Sequence, residues 1–177
     1  MYPKEILYAG KFINLVREGR WEYSERKATV TGIVAIVAFT PQREVILVEQ
    51  ERIPCHGRVI EFPAGLVGDK VGLANESLED AAHREFMEET GYRAKRFRYL
   101  TEGPVSAGMT SEVISIFLAE EVEKVGPGGG DSTESIVTHL VPFKDIDTWL
   151  EQKRREGVQV DMKVYSGLYF LQKVWPD

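Results

Sequence analysis

Cysteine and histidine are scarce in this chain, and long apolar runs are missing. Cys55 stands alone among 177 residues, so no disulfide forms within the chain, and a reducing, cytoplasmic setting is the natural expectation. The three histidines, His56, His83 and His139, show no metal-ligand spacing, which argues against a zinc centre. No apolar run approaches the roughly 18 residues of a membrane span, and Met1-Tyr2-Pro3-Lys4-Glu5 lacks an apolar signal core. Basic residues are in the minority: 22 Lys and Arg against 28 Asp and Glu leave a net charge of -6. That balance speaks against nucleic acid and anionic membrane as partners. It also repels phosphorylated ligands at long range, so a phosphate-handling site needs metal ions and a few local arginines.

What is present is an ordinary globular composition, 43% hydrophobic and 28% charged, in a chain long enough for one domain with a small N-terminal appendage. Ile6 to Ala9, Ile13 to Arg17 and Trp21 to Ser24 read as short polar-rich strands. They bury little by themselves, so they need the main domain or a second chain to pack on. Ala28 to Phe39 reads as a long buried strand, with Val45 to Gln50 as its partner across a Thr40-Pro41-Gln42 turn. Val59 to Phe62, Phe97 to Leu100, Val113 to Ala119 and Ile136 to Val141 read as further strands. Gly126-Pro127-Gly128-Gly129-Gly130-Asp131 is too rich in glycine for a regular element and is expected to be mobile. Asp145 to Arg155 and Met162 to Val174 look helical and core-packing. There is no internal repeat. Periodicity alone supports α+β or mixed α/β.

The chemistry concentrates in Arg84-Glu85-Phe86-Met87-Glu88-Glu89-Thr90-Gly91. Ser77 is a good N-cap with Asp80 three residues on, and Leu78, Ala81, Ala82 and Phe86 supply an apolar face for docking. On that helix Glu85, Glu88 and Glu89 stand at i, i+3 and i+4, so three carboxylates share one turn. Gly91 reads as the residue just past the helix C-terminus, where the backbone dipole already disfavours negative charge. Arg84, four residues before Glu88, neutralises only part of it. Acidic clusters on helices are usually solvated faces; the other reading is a hard cation such as Mg²⁺, which takes carboxylate oxygens together with substrate phosphates.

Taken with Glu76 seven residues upstream of Arg84, these residues resemble the Nudix box in type and spacing through Gly91 and Tyr92. The departure is at the front: ten residues, not five, separate Gly65 of Pro63-Ala64-Gly65 from Glu76, as if Val67 to Asn75 held a five-residue insertion, which a loop tolerates at small entropic cost. The resemblance implies a Nudix-type α/β/α sandwich with a mixed sheet over residues 28–177. A small N-terminal strand region, 1–27, precedes it and forms a homodimer. It also implies Mg²⁺-dependent hydrolysis, Mn²⁺ being a possible substitute, of ADP-ribose or a related nucleoside diphosphate sugar. Alternatives are GDP-sugars, dinucleoside polyphosphates or oxidised nucleotides as substrates, or a non-catalytic nucleotide sensor.

By the same resemblance the metal ligands are Glu85, Glu88, Glu89 and the Ala64 carbonyl. Arg84 orients the cluster through Glu88, and Glu76 is structural. Glu134, counted back from His139-Leu140-Val141-Pro142, is the general base, unless it is an ordinary loop glutamate. Trp21 stacks on the nucleobase or is merely a half-buried strand aromatic. Arg52 meets the diphosphate or is a surface arginine; a guanidinium suits phosphate oxygens because it can donate two parallel bonds. Glu61 and Glu112 are candidates for the substrate side, although a solvent-facing Glu at a strand start fits Glu112 as well.

Overall fold

The computed structural model describes residues 2–27, 30–70, 72–130 and 135–174. Three strands come first: β1 (Lys4–Ala9), β2 (Ile13–Glu18) and β3 (Trp21–Arg26) form an antiparallel sheet of their own. It is thin, as its composition requires. Val16 is fully buried, but Ile6, Tyr8, Ile13, Leu15 and Trp21 stay exposed. The sheet is tied to the rest of the chain at β3, where the Ser24 N–H donates to the Met109 carbonyl (2.9 Å) and the Ser111 N–H donates to the Ser24 carbonyl (3.1 Å).

Eight further strands follow, β4 (Gly32–Ala38), β5 (Glu44–Arg52), β6 (Gly57–Glu61), β7 (Ala64–Val67), β8 (Tyr92–Pro104), β9 (Val113–Lys124), β10 (Val137–Pro142) and β11 (Gln159–Val160). They make two four-stranded sheets, ordered β7-β4-β9-β8 and β10-β5-β6-β11. Among the described residues three α-helices cover them: α1 (Leu78–Thr90), α2 (Ile146–Arg155) and α3 (Met162–Val174). Both outer helices begin and end within a residue of the reading from periodicity.

Strand β4 is central. Val34, Ile36 and Ala38 pack toward Ala81, Ala82 and Phe86 of α1. Ala35 and Val37 belong to a second cluster with Leu47, Ile60 and Phe62 and with Leu150, Val164 and Leu171 of α2 and α3. A strand buried on both faces shows a continuous apolar run instead of alternation, and this is the origin of the mixed α/β/α layering. Burying a side chain such as Phe86 contributes roughly 1.5–3 kcal/mol.

The expected pairing of this strand with the next one does not form. β4 takes β7 (antiparallel) and β9 (parallel) as neighbours, whereas β5 pairs with β10 and β6 in the other sheet. Only the bridge Phe39↔Val45 links them, across a turn in which Arg43 has φ 62° and the Thr40 N–H donates to the Glu44 carbonyl (2.9 Å). With both edges of β4 paired, to β7 and to β9, the chain leaves the sheet at Thr40 and enters the second one.

Two further elements exceed the reading. β8 starts at Tyr92, not Phe97, and β9 runs on to Lys124. Charged residues that look unlike strand are satisfied across the ladder, as Arg96 Nε donates to Glu120 (2.6 Å) and Lys95 Nζ to Glu121 (2.8 Å). Gly126 to Gly130, expected to be mobile, is held down by the backbone of α1, as described next.

Candidate active site

Helix α1 begins as expected, with the Ser77 hydroxyl accepting from the Asp80 N–H (3.1 Å), and ends at Gly91 (φ 69°), whose N–H donates to Met87 O (2.9 Å). The last turn presents its carbonyls beside Glu88 and Glu89, so it needs donors. Lys124 Nζ supplies one to Thr90 O (2.7 Å). The Gly129 N–H donates to Glu89 O (2.8 Å) and the Gly130 N–H to Glu88 O (3.0 Å). Gly128 lies against Thr90 and Gly91 with φ 71°, where a Cβ would collide with the helix backbone. The glycine-rich segment is therefore a backbone cap on the acidic turn. Glu134, just beyond it, lies outside the described residues.

Arg84 organises the other side of the helix. Its Nε and Nη2 donate to the two oxygens of Glu76 (2.8 and 2.9 Å), Nη2 donates also to Leu66 O (2.9 Å), and Nη1 donates to Glu85. Glu88 is farther, at 3.6 Å. Arg84 thus contacts Glu76 and Glu85 more closely than Glu88, the carboxylate through which it was expected to orient the cluster. Glu76 is a structural anchor: its carboxyl also accepts from the Gly68 N–H (3.2 Å), and Arg84 holds it below the ordinary carboxylate range.

The three box carboxylates differ in surroundings. Burial pushes Glu85 up to about 7 in spite of the Arg84 guanidinium beside it. It packs so closely on the β7 turn that a Cβ at Gly65 would fall inside its carboxyl group. Glu89 is buried and accepts the Ala64 N–H (3.2 Å). Glu88 is the most accessible and is met by Lys70 Nζ at 2.6 Å. Burial works against the Lys70 charge, but the bond to Glu88 outweighs it and keeps the ammonium above its ordinary range.

A cavity of about 420 Å³ opens onto this face. Arg52, Glu61, Ala64, Glu85, Glu88 and Glu112 line it, so six of the residues singled out from the sequence converge there. Arg52 and Glu61 are partners, Nε to Oε2 at 2.7 Å, on the adjacent strands β5 and β6. Arg84 and Glu89 stand behind the wall. Trp21 is not in it; half-exposed, it borders a separate cleft of about 260 Å³ with Tyr23, Ala107, Gly108, Thr110 and Ser111. A larger and more apolar cavity of about 920 Å³ adjoins the acidic one, sharing Val105, Ile114 and Lys163.

Three cations in the acidic cavity were missed by the sequence reading: Arg26, Lys70 and Lys163. Arg26 Nε sits 2.5 Å from Glu112 Oε1. Lys163 lies in the first turn of α3 and pairs with Asp161, whose Oδ1 accepts the Lys163 N–H (2.7 Å). A cation there opposes the helix dipole, and that mismatch was a usable signal.

Oxygen-only donors, one of them an acid whose burial the protein's own cations leave uncompensated, fit a hard divalent ion in kind. Among the described residues, however, no three His, Cys, Asp or Glu side chains are gathered into a preformed metal cluster. The carboxylates are instead turned to Arg84, Lys70 and the Ala64 N–H.

A mixed α/β sandwich whose capped helix faces an acidic, cation-rimmed cavity is the setting in which comparison with known proteins becomes informative. The NUDIX domain matches residues 30–160, and the chain belongs to the Nudix family. It is 36% identical over 124 residues to the ADP-ribose pyrophosphatase of Bacillus subtilis (strain 168), covering 67% of this chain and 64% of that protein, just under two thirds of its length. It is 30% identical over 151 residues to the GDP-mannose pyrophosphatase of Yersinia enterocolitica, covering 80% and 76% of the two chains. A crystal structure described as an ADP compounds hydrolase superposes with a TM-score of 0.71 at 18% identity, over 98% of this chain and 94% of the other.

Proposed function

We propose that this protein is a pyrophosphohydrolase that cleaves the diphosphate of ADP-ribose or a related nucleoside diphosphate sugar into a nucleoside monophosphate and a sugar phosphate. The observation that carries the reading is the cavity itself, which sets Glu85 and Glu88 in one space with Arg26, Arg52, Lys70 and Lys163. A diphosphate repels an attacking water, so its hydrolysis needs positive charge on the phosphoryl oxygens and anionic groups to hold a cation. Glu85, Glu88 and Glu89, with the Ala64 carbonyl, would hold Mg²⁺, or Mn²⁺ in its place. The bound ion supplies charge neutralisation and a more acidic water.

The chain's own residues do the rest. Arg52 and Lys163 draw the phosphates toward the acidic turn, with Glu61 holding the Arg52 guanidinium in place. Arg84 fixes Glu85 and is itself fixed by Glu76. Glu61 and Glu112 are suited to accept hydroxyl or base N–H donors from the substrate. Trp21, exposed over Gly108, offers a flat face for the nucleobase. Glu134, outside the described residues, serves as general base by the resemblance to the family. The exposed apolar residues of β1 and β2 support a homodimer through residues 1–27, which would bury them. No described helix is long and apolar enough to cross a membrane; the lone cysteine supports a cytoplasmic setting.

A second reading, hydrolysis of GDP-sugars, is favoured by the likeness to the Yersinia enzyme. A panel of ADP-ribose, GDP-mannose, dinucleoside polyphosphates and oxidised nucleotides at saturating Mg²⁺ tests both. Nucleoside monophosphate and sugar phosphate are expected from at least one sugar nucleotide. If long incubation with Mg²⁺ or Mn²⁺ yields no phosphate product from any of them, the proposal fails in favour of a nucleotide sensor.

A further inference from the structure

We infer that Lys70 is a resident counter-ion for Glu88 that must give up that carboxylate to a divalent metal and then serves a phosphate of the substrate. The first half rests on the metal-binding chemistry of the carboxylates; the second rests on the function proposed above. Lys70 belongs to the segment that makes the spacing between Gly65 and Glu76 ten residues long, and the lengthened loop brings it into the acidic cavity beside Asp69, Glu85 and Glu88. Its ammonium is 2.6 Å from Glu88 Oε2, and the Glu88 side chain, 33% exposed, is far more open than that of Glu85 at 12%. Of the two box carboxylates that line the cavity, Glu88 is thus the more open to an incoming ion, and its close cation is a flexible lysine where that of Glu85 is the anchored Arg84.

The backbone around Lys70 is held without its side chain. The Leu73 N–H donates to Lys70 O (3.0 Å), the Glu76 N–H to Leu73 O (2.8 Å) and the Gly68 N–H to Glu76 (3.2 Å). The flexible lysine stem is therefore free to swing while the loop stays in place. An ammonium and a divalent ion held at the same carboxylate repel each other, so metal binding and the Lys70–Glu88 pair compete. When a diphosphate enters, Lys70 finds a new anionic partner in the same cavity, and the competition is relieved. Metal and substrate binding are coupled positively through this one side chain. The extra loop residues thereby gain a role: they keep the acidic turn neutralised until both ligands are present.

The test measures Mn²⁺ binding to the full-length protein without substrate, by electron paramagnetic resonance of the free ion, in wild type, Lys70→Met, Lys70→Gln and Lys70→Arg. Thermal unfolding run alongside identifies folded variants. Removing the ammonium is expected to tighten Mn²⁺ by about two- to fivefold, the scale of a partly exposed ion pair, while Lys70→Arg stays near wild type. Unchanged or weaker Mn²⁺ binding in both folded neutral variants overturns the inference and leaves Lys70 a loop anchor. For the second half, α,β-methylene-ADP-ribose is expected to tighten Mn²⁺ in wild type more than in Lys70→Met; equal tightening overturns it. The Mn²⁺ measurement uses no turnover, so an inactive wild type with a tighter Lys70→Met refutes the enzyme reading alone.

Discussion

Two charged clusters in this molecule are balanced in opposite senses. Around Glu49 on β5, one buried carboxylate receives Arg58 Nε from β6 (2.5 Å), His139 Nε2 from β10 (2.9 Å) and Lys153 Nζ from α2 (3.0 Å). Burial alone would raise the Glu49 carboxyl, but the bonds from Arg58, Lys153 and His139 outweigh it and hold the group at about 2. Around Arg84, one guanidinium faces four carboxylates within 4 Å, those of Asp69, Glu76, Glu85 and Glu88; among the described residues Lys70 is the one further cation paired with any of them, and burial carries Glu85 up to about 7. The first cluster is complete within the protein and pins α2 to the sheet. The second is short of positive charge, and on the proposed function a divalent cation makes up that shortage. The acid content of the two neighbourhoods is less telling than whether each balance closes internally.

Substitutions at the two centres separate these roles. Glu85→Gln is expected to lower kcat by at least about 100-fold while the protein stays folded, because on the proposed function it removes a carboxylate that holds the metal. Near-wild-type turnover in a steady-state assay would break the comparison at its functional end. Glu49→Gln is expected to cost roughly 3 kcal/mol in urea-unfolding measurements, leaving its cations uncompensated, with kcat/KM preserved.

The pH dependence sharpens the contrast, since the two slopes have opposite signs. Glu49 titrates lower when folded, so its contribution is whole above the ordinary carboxylate value of 4.5 and is lost as pH falls toward about 2. Glu85 titrates higher when folded, so chelated protein loses stability as pH rises from 4.5 through about 7. Glu49→Gln should flatten the acid limb of the urea midpoint against pH, and Glu85→Gln the neutral limb. The smallest effect is expected from Gly65→Ala, in which the new methyl displaces the Glu85 carboxyl from the β7 turn. A fall in kcat of about tenfold is predicted, with stability reduced less than by Glu49→Gln.

The parts legible in the sequence are those written by short-range spacing. Ser77, the apolar set Leu78, Ala81, Ala82 and Phe86, and Gly91 define α1 and its ends within one stretch, and the carboxylate turn follows from them. The partner of β4 was not legible, because its edges are taken by β7 and by β9, the latter far along the chain, and local patterning does not record which distant strand pairs. Nor were Arg26, Lys70 and Lys163 as members of one cavity. They stand on β3, on a loop and on α3, and only the topology brings them together. Gly126 to Gly130 was read by composition as loose, yet its amides are the donors that an acid-laden helix end lacks. The functional reading of Arg52 and Glu61 came by resemblance; their mutual pairing was not legible, since the β5–β6 register sets Arg52 opposite Gly57 and Glu61 opposite Val48, and only the long side chains close the gap.

The parallel pairing of β4 with β9 also bears on how the chain comes to be folded. Ile33 and Ile114, which wall the acidic cavity, are register partners across that pair, so the cavity cannot exist before two segments far apart in the chain have met. Distant parallel pairings of this kind are slow to close, on the order of milliseconds to seconds. A nascent polypeptide can coil its acidic helix early, but the sheet is finished only after residue 124 has left the ribosome, and the pocket only after Lys163 has followed.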